Sequence, residues 1–259
     1  MTKLAIKKIL NKKNKAPITC LSVYSKTLAQ IADKYCDIIL VGDSLGMVLY
    51  GMKTTKSVTM DTMILHTKTV KRFAKKSLVV FDMPYATYEN KHMAYRNAKK
   101  VIKLTKCDAV KLEGGKNISP IVKYLTNNGI PVMGHIGLLP QTTRKFKVKG
   151  KNLNQKKNLL EDAINISSAG AFAVVLECIV ENVAKKITKS ISIPTIGIGA
   201  SKYCDGQILV VDDLLGLSDF KPKFVKKYSD LRKLIESSIK SYTKDVKLKK
   251  FPSSINVYK

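Results

Sequence analysis

Short apolar runs recur along the chain at spacings of roughly 20 to 40 residues, separated by segments in which apolar positions return every three or four residues. Residues 17–23, 38–41 and 77–81 read as the first three strands. A fourth run ends in Lys111-Leu112-Glu113, and 131–134 and 171–176 are the fifth and sixth strands. The seventh lies within 194–199 and the eighth at 206–211. Helical periodicity fills the intervals 27–34, 59–72, 91–104, 119–127, 155–169 and 181–190, and a closing helix is expected from Tyr228 to about Tyr242. Runs two, three, six and eight are nearly continuous in apolar character, as parallel strands covered on both faces must be. Eight such units in one chain predict a single (β/α)8 TIM barrel over residues 1–259, with an open doubly wound sheet as the alternative. Residues 1–15 are expected to form a basic N-terminal arm or short helix, and 244–259 a peripheral basic tail.

Composition narrows the class. The 259 residues are 45% hydrophobic, enough for a substantial core, and no apolar run approaches the roughly 20 residues that a membrane helix needs. With no secretory pattern at Met1 to Lys8, a protein of the cytoplasm without membrane partners is expected. Five cysteines without a C-x-x-C spacing predict reduced thiols. The formal charge of +28 invites a nucleic-acid reading, but Arg72, Arg96, Arg144 and Arg232 are the only arginines, tryptophan is absent and lysines are scattered throughout. Specific base readout favours arginine forks and single-strand binding favours aromatic platforms, so no specific nucleic-acid partner is expected, only salt-sensitive attraction to polyanions.

The candidate chemistry sits at the strand ends. Asp43 follows strand two, Asp82 strand three and Glu113 strand four, and in a barrel these ends converge on one mouth. Three carboxylates on adjacent strands repel unless a cation joins them, and hard oxygen donors suit Mg2+. Lys111, two residues before Glu113, shares its face and is placed to neutralise an anionic substrate or a developing enolate. Glu177 ends strand six, apart from the trio; partial burial there would raise its pKa toward the range of a general base. Together these parts describe chelation of a 2-oxo acid on Mg2+, removal of the proton beside its carbonyl, and attack by the resulting carbon nucleophile. His66, within a helix, is expected to pack, and His92 to lie on the surface.

The segments Val41-Gly42-Asp43-Ser44-Leu45-Gly46-Met47, Asp82-Met83-Pro84-Tyr85, Lys111-Leu112-Glu113-Gly114-Gly115, Gly134-His135-Ile136-Gly137-Leu138, Val175-Leu176-Glu177-Cys178, Ile196-Gly197-Ile198-Gly199-Ala200 and Asp205-Gly206-Gln207-Ile208-Leu209-Val210 resemble, in order, those of the 3-methyl-2-oxobutanoate hydroxymethyltransferase (ketopantoate hydroxymethyltransferase) family. The resemblance implies a (β/α)8 barrel of the phosphoenolpyruvate/pyruvate-like kind. It also implies transfer of a one-carbon unit from 5,10-methylenetetrahydrofolate to 3-methyl-2-oxobutanoate, giving 2-dehydropantoate, the first committed step of pantothenate biosynthesis. Mg2+ and assembly as a homo-oligomer, often a decamer, belong to the same expectation. Position by position, Asp43, Asp82 and Glu113 match metal ligands, Ser44, Asp82 and Lys111 match residues that hold the oxo acid, and Glu177 matches the proton acceptor. His135, in a matching motif, is either a substrate contact or a packed strand-end histidine.

Leu139, Val180 and Ser201 depart from residues common in that family, the last two near loops at the mouth. A relative of isocitrate lyase or phosphoenolpyruvate mutase is the nearest enzymatic rival, but its Lys-x-Cys-Gly-His loop motif is missing. A polyanion binder on an inactive barrel is the rival outside enzymology, against which the retained carboxylates speak.

Overall fold

The computed structural model describes residues 2–143, 146–220 and 222–258. The first of two compact units runs to Val210, the second from Val211. In the first, β1 (Ile18–Ser22), β2 (Ile38–Val41), β3 (Leu78–Asp82), β4 (Ala109–Glu113), β5 (Val132–Gly137), β6 (Ala173–Glu177), β7 (Thr195–Ile198) and β8 (Gly206–Val210) close into a barrel in sequence order. Every pairing is parallel, including β8 with β1. The barrel is therefore the architecture found, and the open sheet is excluded.

Helices α1 (Thr2–Asn11), α2 (Lys26–Ala32), α3 (Leu45–Val48), α4 (Met60–Phe73), α5 (Lys91–Thr105), α6 (Ser119–Asn127), α7 (Leu153–Ser168) and α8 (Glu181–Ser190) belong to this unit. Capping chemistry sets several starts. Thr59, Asn90 and Asn152 each accept from a backbone N–H three residues on, satisfying a donor that the first turn leaves open. The cap at Asn152 starts α7 two residues earlier than its apolar periodicity predicts. Beyond β2 the chain turns tightly at Gly42, whose carbonyl accepts from the Leu45 N–H at 3.2 Å, and winds on into the one-turn α3.

Period two decides what the barrel holds. Ile18, Cys20, Ile38, Leu40, Leu78, Val80, Ala109, Met133, Ala173, Val175, Ile196 and Ile208 fill its interior together with Ile9 of α1. The expected N-terminal arm is thus a helix that joins the core, and Lys13 just beyond it pairs with buried Asp205 at 2.8 Å. Two residues further along the same faces come Ser22, Asp82, Lys111, His135 and Glu177, and four beyond Ala109 comes Glu113. The alternation that packs the middle with aliphatic side chains delivers polar ones to the C-terminal mouth.

The second unit contains α9 (Val211–Leu215) and α10 (Leu231–Lys247). The closing helix starts three residues later than expected and runs five residues further, because the lysine-rich segment past Tyr242 consists mostly of residues that tolerate a helix. Leu234, Ile235, Ile239, Tyr242 and Val246 of α10 are exposed.

Candidate active site

Register places the mouth residues side by side. Asp82 pairs with Lys111 across β3 and β4, and Glu113 with His135 across β4 and β5. Lys111 Nζ donates to Asp82 Oδ1 at 2.7 Å and lies 3.7 Å from Glu113 Oε1. Asp43, just past β2, donates its backbone N–H to Asp82 Oδ2 at 3.2 Å. His135 Nδ1 lies 3.4 Å from Glu113 Oε1, and Nε2 3.2 Å from Glu177 Oε2. All six residues are buried, none more than 8% exposed. The structure thus brings Asp43, Asp82, Lys111, Glu113, His135 and Glu177 into one cluster. Glu177 stands one side chain away from the trio, with His135 of β5 between it and Glu113.

Two residues of the network escape a reading by periodicity. Gln141, 1% exposed in the loop after β5, donates from Nε2 to Asp43 Oδ2 and to the Met83 carbonyl, both at 2.9 Å. Its Oε1 accepts from the Tyr88 hydroxyl at 2.5 Å, and its backbone N–H donates to Glu113 Oε2 at 3.1 Å. Tyr88 in turn accepts from the Glu113 N–H at 3.2 Å. Gln141 therefore ties the loop after β5 to the ends of β2, β3 and β4. The signal that could have found it is its position five residues after the strand-end His135 and directly after Pro140.

Gly137 also belongs to the site's construction. Its φ of +102° lies where side chains are rare, and a Cβ there would sit 2.3 Å from the Glu177 carbonyl oxygen, so glycine alone permits this approach to the catalytic candidate's backbone. Cys178, the next residue after Glu177, takes φ +50°. Burial, then the neighbouring Glu177, pushes its thiol up to about 11, so it is no ready nucleophile. All five cysteines are free.

Electrostatics follow from the crowding. Burial first, then Asp82, drives the Asp43 carboxyl well above its ordinary range; burial also raises Asp82, against the pull of Lys111. Burial acts to raise Glu113 too, but His135 and Lys111 outweigh it and hold it low. Lys111 is raised because Asp82, Glu113 and Asp43 overcome its desolvation. Burial and Lys111 depress His135, yet Glu113 and Glu177 prevail and push it up to about 9. Four carboxyl groups thus crowd about Lys111 and His135, and the crowding is relieved by raising Asp43 and Asp82. Among the described residues no three Asp, Glu, His or Cys side chains form a ready donor set for a metal, since Lys111 and Gln141 link the carboxylates instead.

Ser44 is half-buried beside this cluster, its Oγ 2.7 Å from the Tyr24 hydroxyl. The other histidines lie where expected. His66 is half-buried, with Nδ1 2.8 Å from the Tyr24 carbonyl and Nε2 2.9 Å from the Tyr50 hydroxyl. His92 is exposed and meets Tyr124 edge-on.

Fold and mouth define a (β/α)8-barrel enzyme whose acidic, lysine-centred site lies at the C-terminal strand ends. Solved structures share that fold: phosphonopyruvate hydrolase has a TM-score of 0.65 at 9% identity, covering 100% of this chain and 92% of that one. Its complex with oxalate and Mg++ gives 0.62 at 9%, covering 99% and 93%. Phosphoenolpyruvate phosphomutase from Streptomyces platensis subsp. rosaceus gives 0.63 at 11%, covering 94% and 87%. The family model for ketopantoate hydroxymethyltransferase matches residues 3–254. Among similar proteins, the 3-methyl-2-oxobutanoate hydroxymethyltransferase of Pelagibacter ubique (strain HTCC1062) is 53% identical over 97% of this chain and 99% of its own length. That of Rhizobium etli is 50% identical over 94% and 91%. This chain belongs to the ketopantoate hydroxymethyltransferase family. Among the described residues no helix is long and apolar enough to cross a membrane.

Proposed function

We propose that this chain moves a one-carbon unit from 5,10-methylenetetrahydrofolate to C3 of 3-methyl-2-oxobutanoate, with water supplying the hydroxyl of the 2-dehydropantoate formed and tetrahydrofolate leaving. The observation that carries the reading is the buried mouth itself, where four carboxyl groups crowd about Lys111 and His135.

That excess of acidic groups over basic ones fits a divalent cation. Asp43 and Asp82, the carboxyls that burial pushes up, and Glu113 beside them would hold Mg2+ with hard oxygen donors. When bound, the ion supplies Lewis-acid polarisation of the substrate's 2-oxo group. The complex of phosphonopyruvate hydrolase with oxalate and Mg++ is a precedent on the same fold.

The protein's own groups do the rest. Lys111 offers its charge to the acid's oxygens, and Ser44, the more exposed member of the mouth, orients its carboxylate. Glu177 accepts the C3 proton, and the electron pair of the broken C3–H bond becomes that of an enolate; water frees the one-carbon unit as formaldehyde, both folate C–N bonds breaking as its two protons pass to the nitrogens, and C3 bonds to that carbon, whose oxygen takes the proton back from Glu177 to become the product hydroxyl. His135, between Glu177 and Glu113, holds the base in place and steadies its charge. Self-association, as the family resemblance implies, accords with the exposed apolar residues of α10.

The test is turnover. Purified protein with Mg2+, 3-methyl-2-oxobutanoate and methylenetetrahydrofolate is expected to give 2-dehydropantoate by mass spectrometry, and none after chelation. Equal product formation with folate omitted, or carbon–carbon cleavage of larger oxo acids instead, overturns the reading.

A further inference from the structure

Three hydroxyls meet where β1 and β2 open into the mouth, and the mechanism above uses only one. Ser22, at the end of β1, donates to the Tyr24 hydroxyl at 2.9 Å, and that hydroxyl lies 2.7 Å from Ser44 Oγ. Ser22 and Tyr24 are each 2% exposed, whereas Ser44, just past the end of β2, is half-buried. The cluster closes over Gly42: a Cβ there would come within 2.8 Å of Ser22 Oγ and 3.0 Å of Ser44 Oγ, so the two serines flank Gly42 only because its side chain is missing.

The direction of the chain matters. A hydroxyl has one proton. Tyr24 accepts from Ser22, and between Tyr24 and Ser44 either hydroxyl can donate; a tyrosine proton given to Ser44 leaves the serine's own proton for a ligand. The tyrosine backbone is also fixed, because a carbonyl only accepts and so His66 Nδ1 must be the donor to the Tyr24 oxygen, while Nε2 is engaged with Tyr50.

We propose that Tyr24 is a positioning residue that sets Ser44 as a hydrogen-bond donor toward the carboxylate of the 2-oxo acid. This rests on the reading of Ser44 as a contact to that acid. An anionic substrate benefits from a donor and is repelled by a lone pair; without Tyr24's proton the Ser44 rotor is free to present either. The role falls on binding of the acid rather than on proton transfer, which belongs to Glu177 on the other side of the barrel.

Steady-state kinetics of the full chain with 3-methyl-2-oxobutanoate test it. Tyr24→Phe keeps the ring and is expected to raise KM for the oxo acid by about tenfold, the size of one hydrogen bond's net contribution, with kcat changed by less than about twofold. KM for the folate should not move. Ser44→Ala should give a similar or larger rise, and the double variant should be no worse than Ser44→Ala alone, because the tyrosine acts through the serine. Ser22→Ala is expected to shift KM in the same direction by about two- to threefold; it carries the test should Tyr24→Phe fail to fold. Additive costs in the double variant, an unmoved KM in Tyr24→Phe and Ser22→Ala where Ser44→Ala raises it, or a loss confined to kcat would overturn the proposal. An unmoved KM in Ser44→Ala strikes the reading of Ser44 itself and removes the proposal with it.

Discussion

Replacing Gln141 with leucine removes the amide that joins three strand ends while keeping most of its volume. The variant loses three buried bonds, to the Asp43 carboxyl, the Met83 carbonyl and the Tyr88 hydroxyl. At about 1–1.5 kcal/mol for each, the loss is about 3–5 kcal/mol. Nothing offsets it by solvation, since Gln141 and Asp43 are 1% and 4% exposed. The bond from the residue's own N–H to Glu113 survives, because the backbone supplies it. For a chain of this size the melting temperature should fall by roughly 10 °C, scaled at about 2–4 °C per kcal/mol. The assay is denaturant and thermal unfolding by circular dichroism, paired with a Mg2+ titration of the folded variant. Metal affinity should also weaken, since Asp43 loses the donor that orients it. A melting temperature within about 2 °C of the parent, with metal affinity unchanged, would refute the reasoning that this amide organises the acidic cluster.

Lys111→Met leaves Asp82 and Glu113 without their shared cation and should cost about 3–5 kcal/mol at pH 8. Carboxyls whose folded pKa is raised destabilise the fold above that pKa and cease to do so as they protonate. Denaturant midpoints should therefore show a smaller deficit at pH 5.5 than at pH 8, and an equal deficit at both would contradict the assignment. His135, pushed up to about 9, contributes stability that is fully present below its unfolded pKa near 6.5 and lost as pH rises through 9. Metal-free protein should lose on the order of 3 kcal/mol across that window, and His135→Gln should lack the slope; imidazole NMR placing the transition below 7 would sink the argument.

Much of the barrel is legible because parallel strands covered on both faces must be apolar in sequence, as 38–41 and 77–81 are. The mouth is legible for the same reason inverted: a charged residue directly after such a run, such as Asp82 or Glu177, has few places to go except the strand end. The links between those residues are not periodic and so stay hidden. Gln141 and Tyr88 reach the cluster from loops, whose paths no repeat encodes. The link from Glu177 to the other carboxylates is hidden too, because it runs through His135, which the β4–β5–β6 register sets between Glu113 and Glu177. Helix α3 is one turn long, too short for any period to show.

The most direct test of the proton-transfer claim needs no folate. In D2O with Mg2+ and 3-methyl-2-oxobutanoate, proton NMR should show loss of the C3 signal with the parent protein. Glu177→Gln should abolish that loss while still binding the oxo acid, because its amide keeps the shape of the side chain but cannot accept the proton. Exchange at the parent rate in Glu177→Gln would contradict the account and assign the base elsewhere.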